Sequence, residues 1–118
     1  MSVSKFIMTL MNSRNQAHVF HLTTSSYAQH KALQKYYDGI IPLLDSYAEI
    51  FISKLNGRMT LSDTNSRYIQ DPKKARQYFK DLLARIKKMK LPKDRALLAI
   101  QDNIVGLISS TIYMLKLK

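Results

Sequence analysis

The stretch SYAQHKALQKYYDGIIPLLDSYAEIFISKLNG, residues 26–57, decides the fold of this chain. Its apolar residues recur every three or four positions over about six turns, which is typical of an amphipathic α-helix. Ser26 followed by Gln29 indicates a capping box and predicts where the helix begins. The Asn-Gly pair at 56–57 predicts where it ends. The apolar stripe is Leu33, Tyr37, Ile40, Leu44, Tyr47 or Ala48, Phe51 and Leu55.

The same kind of pattern predicts one helix before this stretch and two after it. Asp71 with Pro72, and Asp94 after the turn KLPKD, predict the starts of the last two helices. Residues 58–70 are polar and irregular and predict a long connection. Two helical hairpins joined by a longer crossover predict an all-α, ferritin-like four-helix bundle. The expected helices of this single domain, residues 1–118, span about 4–22, 26–55, 72–90 and 94–118.

Composition narrows the possible functions. The chain has 118 residues and no cysteine, which excludes disulfides and thiolate metal sites. No uncharged apolar stretch reaches about 18 residues, so we expect no membrane span. The start of the chain is too polar after Met11 for a secretory signal. We therefore expect a cytoplasmic protein.

The net charge of +11 is placed unevenly. Residues 56–118 hold fourteen lysines and arginines and five aspartates, a net charge of +9. Many of these cations lie opposite the apolar stripe of the third predicted helix, where they could follow a phosphate backbone without reading bases. A solvated helix face is the simpler interpretation. The candidate nucleic-acid-binding residues are Lys73, Lys74, Arg76, Lys80, Lys87 and Lys88.

All three histidines, His18, His21 and His30, fall within thirteen positions around the first predicted turn. With the turn centred near residue 23 or 24, His18 and His30 lie level across the hairpin and His21 lies one turn nearer the loop. Two imidazoles on facing helices can bind one divalent cation when a carboxylate completes the site. The alternative is that the histidines are structural and bond to loop hydroxyls.

The candidate carboxylates are Asp45 and Glu49, four residues apart on one face of the second helix. Asp45 lies fifteen residues beyond His30, or roughly 22 Å along a helix. These groups cannot share a cation within one subunit. A second copy packed antiparallel about a two-fold axis would bring them together, so the site requires a homodimer or a higher homo-oligomer.

The spacing His18, His30, Asp45, Glu49 resembles the ferroxidase pattern of Dps-type mini-ferritins, whose site lies between two subunits. The chain departs from that pattern in three places: Gln34 stands where the family has a further aspartate, Val19 stands where a tryptophan usually follows the first histidine, and the hairpin loop lacks the family's glycine. The resemblance implies iron or another divalent cation as the cofactor. Because an amide carries no charge and binds iron weakly, we expect a degenerate site, ferroxidase-like at most, in a protein that is not an active enzyme.

The segments SRNQAHVFHLTTSSYAQHKALQKYYDGIIPLLDSYAE and LLAIQDNIVGLISSTIYMLKLK are more closely similar to small uncharacterised Dps-like proteins of large tailed phages. This resemblance implies a phage-encoded protein in the host cytoplasm or associated with the virion. The first hypothesis is thus a Dps-like protein with a degenerate inter-subunit metal site. The alternative is a basic, non-enzymatic assembly or interaction module that binds nucleic acid or a host protein.

Overall fold

Four α-helices and one 3₁₀ turn form the regular structure of this chain in a computed structural model that describes residues 2–62 and 67–117. Those residues contain no β-strand, which confirms the all-α prediction. Residues 63–66 of the predicted connection lie outside the described residues, and so does Lys118, the last residue of the predicted fourth helix. The helices are α1, Ser2–Thr23; α2, Tyr27–Leu55; α3, Ala75–Lys88; and α4, Arg95–Lys116, with the 3₁₀ turn at Pro72–Lys74.

The residues predicted to start helices do so. Ser26 Oγ accepts the backbone N–H of Gln29 at 3.2 Å, and Asp94 Oδ1 accepts two backbone N–H groups at the start of α4. The capping box of α2 is closed indirectly, because Gln29 Oε1 accepts from the hydroxyl of Thr24 at 2.7 Å. Asp71 Oδ1 accepts the N–H of Lys73, but the turn that follows is 3₁₀, so α3 begins at Ala75 rather than at residue 72.

The Asn-Gly pair ends α2 as predicted. Asn56 adopts the left-handed conformation, with φ of 54°, and the N–H of Gly57 donates to the carbonyl oxygen of Phe51 at 3.0 Å. A side chain at position 57 would collide with the Phe51 ring. Glycine is therefore required here by the ring that closes over the helix end.

Each helix packs against two others: α1 against α2 and α3, and α4 against α2 and α3. Lys54 at the end of α2 pairs with Asp94 at the start of α4, with 2.8 Å between Nζ and Oδ2, so these two helices are antiparallel. Tyr78, early in α3, contacts Phe20, late in α1, as expected for a second antiparallel pair. The two hairpins therefore lie side by side, with α1 and α4 on one diagonal and α2 and α3 on the other.

The core contains two tyrosines that are completely buried, Tyr36 and Tyr47. Burial raises the pKa of both phenols, that of Tyr47 to about 12. Tyr36 shares a 2.7 Å hydrogen bond with Ser13 Oγ, which also donates to the carbonyl of Leu10. Among the described residues, the Tyr47 hydroxyl and Gln101 Oε1 are the buried side-chain polar atoms with no partner. One core tyrosine is thus satisfied and the other is not.

The described parts of the crossover between α2 and α3 are held against α1. At one end, the backbone N–H of Thr60 donates to Ser4 Oγ at 3.2 Å. At the other end, the Gln16 amide bonds the backbone of Ile69 twice, with Nε2 donating to the carbonyl at 2.9 Å and Oε1 accepting the N–H at 2.8 Å. The two described ends of the crossover therefore lie against α1 at positions twelve residues apart.

Within the described residues, α4 is the helix long and apolar enough, by length and composition, to cross a membrane. Core helices of soluble proteins satisfy the same criteria, so length and composition alone do not identify a membrane span. One face of α4 packs into the core through Leu97, Ile104, Ile108 and Leu115.

Candidate functional site

His21 and His30 form a stacked pair at the end of the α1–α2 hairpin. Their ring centroids lie 3.6 Å apart, with the planes inclined by 23°. His21 Nδ1 donates to the carbonyl oxygen of His30 at 2.9 Å, and His30 Nδ1 donates to the carbonyl oxygen of His21 at 3.0 Å. Because a carbonyl oxygen can only accept, both Nδ1 atoms carry hydrogen and each neutral ring keeps its lone pair on Nε2.

This pairing corrects the prediction that His18 and His30 lie level. The non-helical residues of the turn are 24–26, so its centre is Ser25 rather than residue 23 or 24. His21 lies four residues before Ser25 and His30 five residues after it, so His21, not His18, comes beside His30. His18 instead stacks on Tyr37, with 4.8 Å between the ring centroids, and lies 6.0 Å from the His21 ring.

His18 faces a cation within its own subunit. Its Nδ1 lies 3.3 Å from Arg14 Nη1, and the Arg14 guanidinium also lies over the Tyr37 ring, 5.4 Å from its centroid. Arginine has no acceptor, so His18 Nδ1 must accept this hydrogen bond and Nε2 carries the ring hydrogen. The lone pair of His18 is therefore occupied by a guanidinium.

Asp45 and Glu49 lie on the exposed surface of α2, far along the helix from the stacked histidines. The described residues hold no group of three histidine, cysteine, aspartate or glutamate side chains placed to bind a metal ion. Gln34, at the position where the resemblance implies a third acid, is half-buried. One subunit thus offers the two Nε2 atoms of His21 and His30, and these alone do not make a metal site.

The candidate nucleic-acid-binding residues lie on one outer surface, which we call the α3 basic face: Lys73, Lys74, Arg76, Lys80, Lys87 and Lys88. All are exposed except Arg76, which is half-buried and donates from Nε to the carbonyl of Ile112 at 3.4 Å. The opposite side of α3 is buried through Ala75, Phe79, Leu82 and Ile86. Across residues 2–62 and 67–117 the one ion pair is Lys54–Asp94, so no cation of the α3 basic face forms an ion pair with a described carboxylate.

A cleft of about 570 Å³ opens between α1, α3 and the crossover, and sequence reasoning did not find it. We call it the crossover cleft. The sequence does contain one indication of this cleft, because the polar residues of α1 that line it recur at helical spacing. The lining residues used below are Lys5, Met8, Arg67, Tyr68, Tyr78 and Arg85.

The fold and these surfaces define a basic, all-α helical domain. Residues 21–115 match a family of unknown function, DUF5856, and the chain belongs to that family. No curated protein matches the chain significantly. No solved structure does so either.

Proposed function

We propose that this protein is a ferritin-like four-helix bundle that binds the phosphate backbone of a nucleic acid through the α3 basic face, without catalysing a reaction. The observation that carries the proposal is the row of exposed lysines on that face, none of which forms an ion pair with a described carboxylate. Unpaired cations along one helix attract a polyanion because binding releases the counterions of its phosphates.

The ferritin-like part of the proposal is supported by the packing of the helices. In ferritin-like bundles, two antiparallel hairpins lie side by side and a long crossover joins the second helix to the third. Here α1 and α2 form one hairpin, α3 and α4 form the other, and each helix of one hairpin contacts one helix of the other. The crossover is anchored along α1 at Ser4 and at Gln16.

Backbone binding rather than base reading is supported by the composition of the α3 basic face. Its members are lysines and one arginine, and the buried aromatic of the helix, Phe79, faces the core. Lys80 and Lys87 are two turns apart, a distance of roughly 10 Å along the helix. Flexible lysine side chains at this spacing can each contact a phosphate of the same backbone.

The test is binding of a fluorescent DNA duplex measured by anisotropy across a salt series. Affinity should fall steeply as salt rises, and Lys80→Ala with Lys87→Ala should lower the slope of log K against log salt by about two. The matched control is Lys31→Ala with Lys35→Ala, which removes two exposed charges from α2. Equal losses in the two variants, or no binding at low salt, would contradict the proposal.

A second candidate function is a divalent cation site shared by two subunits, as the Dps resemblance implies. The observation that favours it is the hydrogen bonding of the stacked histidines, since Nδ1–H donating to a carbonyl is the usual way to orient an imidazole whose Nε2 binds a metal. His21 and His30 of one subunit would then supply nitrogen ligands, and Asp45 and Glu49 of the partner would supply charge. A bound cation would hold the two subunits together.

This candidate is tested by metal analysis of untagged protein together with its molecular mass in solution. We expect a dimer whose cation content falls in Asp45→Asn with Glu49→Gln and in His30→Ala, and stays unchanged in His18→Ala, because Arg14 occupies the His18 lone pair. The carboxylates are exposed, so their replacement leaves the fold intact. A monomeric protein would rule out the site. A dimer whose cation content is the same with and without the two carboxylates would also rule it out.

The phage origin and the cytoplasmic location are proposals that rest on the resemblance and on the composition of the chain. Binding of a host protein by the α3 basic face is the other form of the interaction hypothesis. It predicts an acidic partner, and therefore the same loss of binding with rising salt.

A further inference from the structure

We propose that the crossover cleft binds a nucleotide, with the phosphates at Lys5, Arg67 and Arg85 and the base against Tyr68 and Tyr78. The site differs from the α3 basic face, because none of these five residues belongs to that face. The inference therefore does not depend on nucleic-acid binding there.

The cleft opens between α1, α3 and the described parts of the crossover. The two anchors of the crossover on α1, Ser4 and Gln16, are twelve residues apart, or roughly 18 Å along the helix. The cleft measures about 570 Å³. Sites for small molecules and cofactors have volumes of roughly 300–1,000 Å³.

The charge of the cleft selects an anion. Lys5 comes from α1, Arg67 from the crossover and Arg85 from α3, so the three cations converge from separate elements. No described lining residue is a carboxylate. A second opening of about 420 Å³ shares Lys5 and Arg85 and adds Lys90 and Lys88, so the cationic rim of the cleft adjoins the α3 basic face at Lys88. Arginines and lysines gathered in this way bind phosphate groups by charge-assisted hydrogen bonds.

The walls of the cleft select a ligand with a planar, apolar part. The rings of Tyr68 and Tyr78 and the side chain of Met8 provide apolar surface beside the cations. The Tyr78 ring is fixed by edge contacts with Phe20 and Phe79, at centroid distances of 6.0 and 5.1 Å. The Tyr68 hydroxyl accepts a 3.2 Å hydrogen bond from Asn15 Nδ2. Rings held in this way present surfaces for a base, which stacks on aromatic side chains.

The experiment is calorimetric titration of the full chain with ATP at 0.15 M salt. We expect one saturable site per chain, with adenosine and inorganic tripolyphosphate each binding at least about tenfold more weakly, because each lacks half of the contacts. Arg85→Ala should weaken ATP binding about tenfold or more, whereas Lys87→Ala, the same loss of charge from the α3 basic face, should leave it unchanged. Tyr68→Ala should weaken ATP binding without affecting tripolyphosphate.

Both arginine and lysine variants alter exposed residues, so their melting temperatures should match that of the parent. Absence of saturable binding, equal effects of Arg85→Ala and Lys87→Ala, or tripolyphosphate binding as tightly as ATP would overturn the proposal. Competition with an oligonucleotide that bears a 5′-phosphate separates the two sources of this ligand. Displacement of ATP identifies a strand end as the ligand, and no displacement identifies the free nucleotide.

Discussion

The side-chain amide of Gln16 forms two hydrogen bonds with the backbone of Ile69, across 53 residues of sequence. The amide supplies one donor and one acceptor to the backbone of Ile69, as a residue of a neighbouring β-strand would. The Gln16 side chain is buried, with an exposed fraction of 3%. One residue of α1 thereby fixes the position at which the crossover turns toward α3.

We expect Gln16→Ala to destabilise the protein by about 1–3 kcal/mol, because it leaves both backbone groups of Ile69 without their partners. Denaturant unfolding measures the change. Asn15→Ala is the matched control, since it removes two exposed 3.2 Å hydrogen bonds, with Tyr68 and with Arg14, in the same region and should cost less than about 0.5 kcal/mol. Equal losses would mean that the bonds to Ile69 add nothing.

The stacked histidines should be energetically coupled. His21→Ala and His30→Ala each break the reciprocal pair, so a double-mutant cycle should give a coupling free energy of about 0.5–3 kcal/mol. His18 and His30 are not in contact, and the same cycle on that pair should give a value near zero. Coupling of His30 to His18 rather than to His21 would show that the hairpin is paired as the sequence predicted and not as the structure has it.

The two buried core tyrosines should respond in opposite ways to loss of the hydroxyl. Tyr36→Phe removes the hydrogen bond with Ser13 and should destabilise the protein by about 1 kcal/mol. Tyr47→Phe removes a buried hydroxyl that has no partner, so the free energy of unfolding should stay the same or rise. Thermal unfolding of the two variants gives the comparison. A large loss for Tyr47→Phe would reveal a partner for its hydroxyl.

Acid should remove the contribution of Asp94. The Lys54 ammonium, as a hydrogen-bond donor to this carboxylate, holds the pKa of Asp94 below the ordinary range of an aspartate, and the N–H groups of Leu97 and Ala96 act in the same direction. Because the folded pKa is lower than the unfolded one, this stabilisation is present above the unfolded pKa and is lost as the pH falls through the folded pKa.

The stability difference between the parent and Asp94→Asn should therefore be constant near neutral pH and should narrow in acid. Asparagine is a suitable control because it also caps helices but does not titrate. Unfolding in urea between pH 2 and pH 7 provides the measurement. A difference that widens as the pH falls would contradict the role given to Asp94.

Local signals in the sequence predicted the helices well. Asp94, Ser26 and the Asn-Gly pair at 56–57 each act within a few residues, so their effect can be recognised without a structure. The start of α3 was misplaced by three residues because Pro72 opens a 3₁₀ turn, which has the same sequence signal as an α-helical one. The buried stripe of α2 was predicted in part: Tyr37 is only half-buried, Leu55 is exposed, and the fully buried Tyr36 was not among the predicted residues.

The arrangement of the candidate site was less predictable. Whether His18 or His21 lies beside His30 depends on whether α1 ends at residue 22 or 23 and α2 begins at 26 or 27, a shift that no local pattern fixes. The orientation of the His18 ring depends on its contacts with Arg14 and Tyr37. These contacts form only after the packing of α2 against α1 has placed Tyr37 beside both residues. The crossover cleft could not be predicted, because it arises from the distant pairing of Gln16 with Ile69.

Both anchors of the crossover lie on α1, and this has a consequence for motion. Releasing Ser4 from Thr60 and Gln16 from Ile69 would free the segment while each hairpin keeps its buried contacts. The backbone amides of Thr60 and Ile69 would then exchange with solvent through a local opening that costs less than global unfolding. A ligand that bridges Arg67 to α1 and α3 would slow that exchange, so occupancy of the cleft would be recorded in the protection of these two amides.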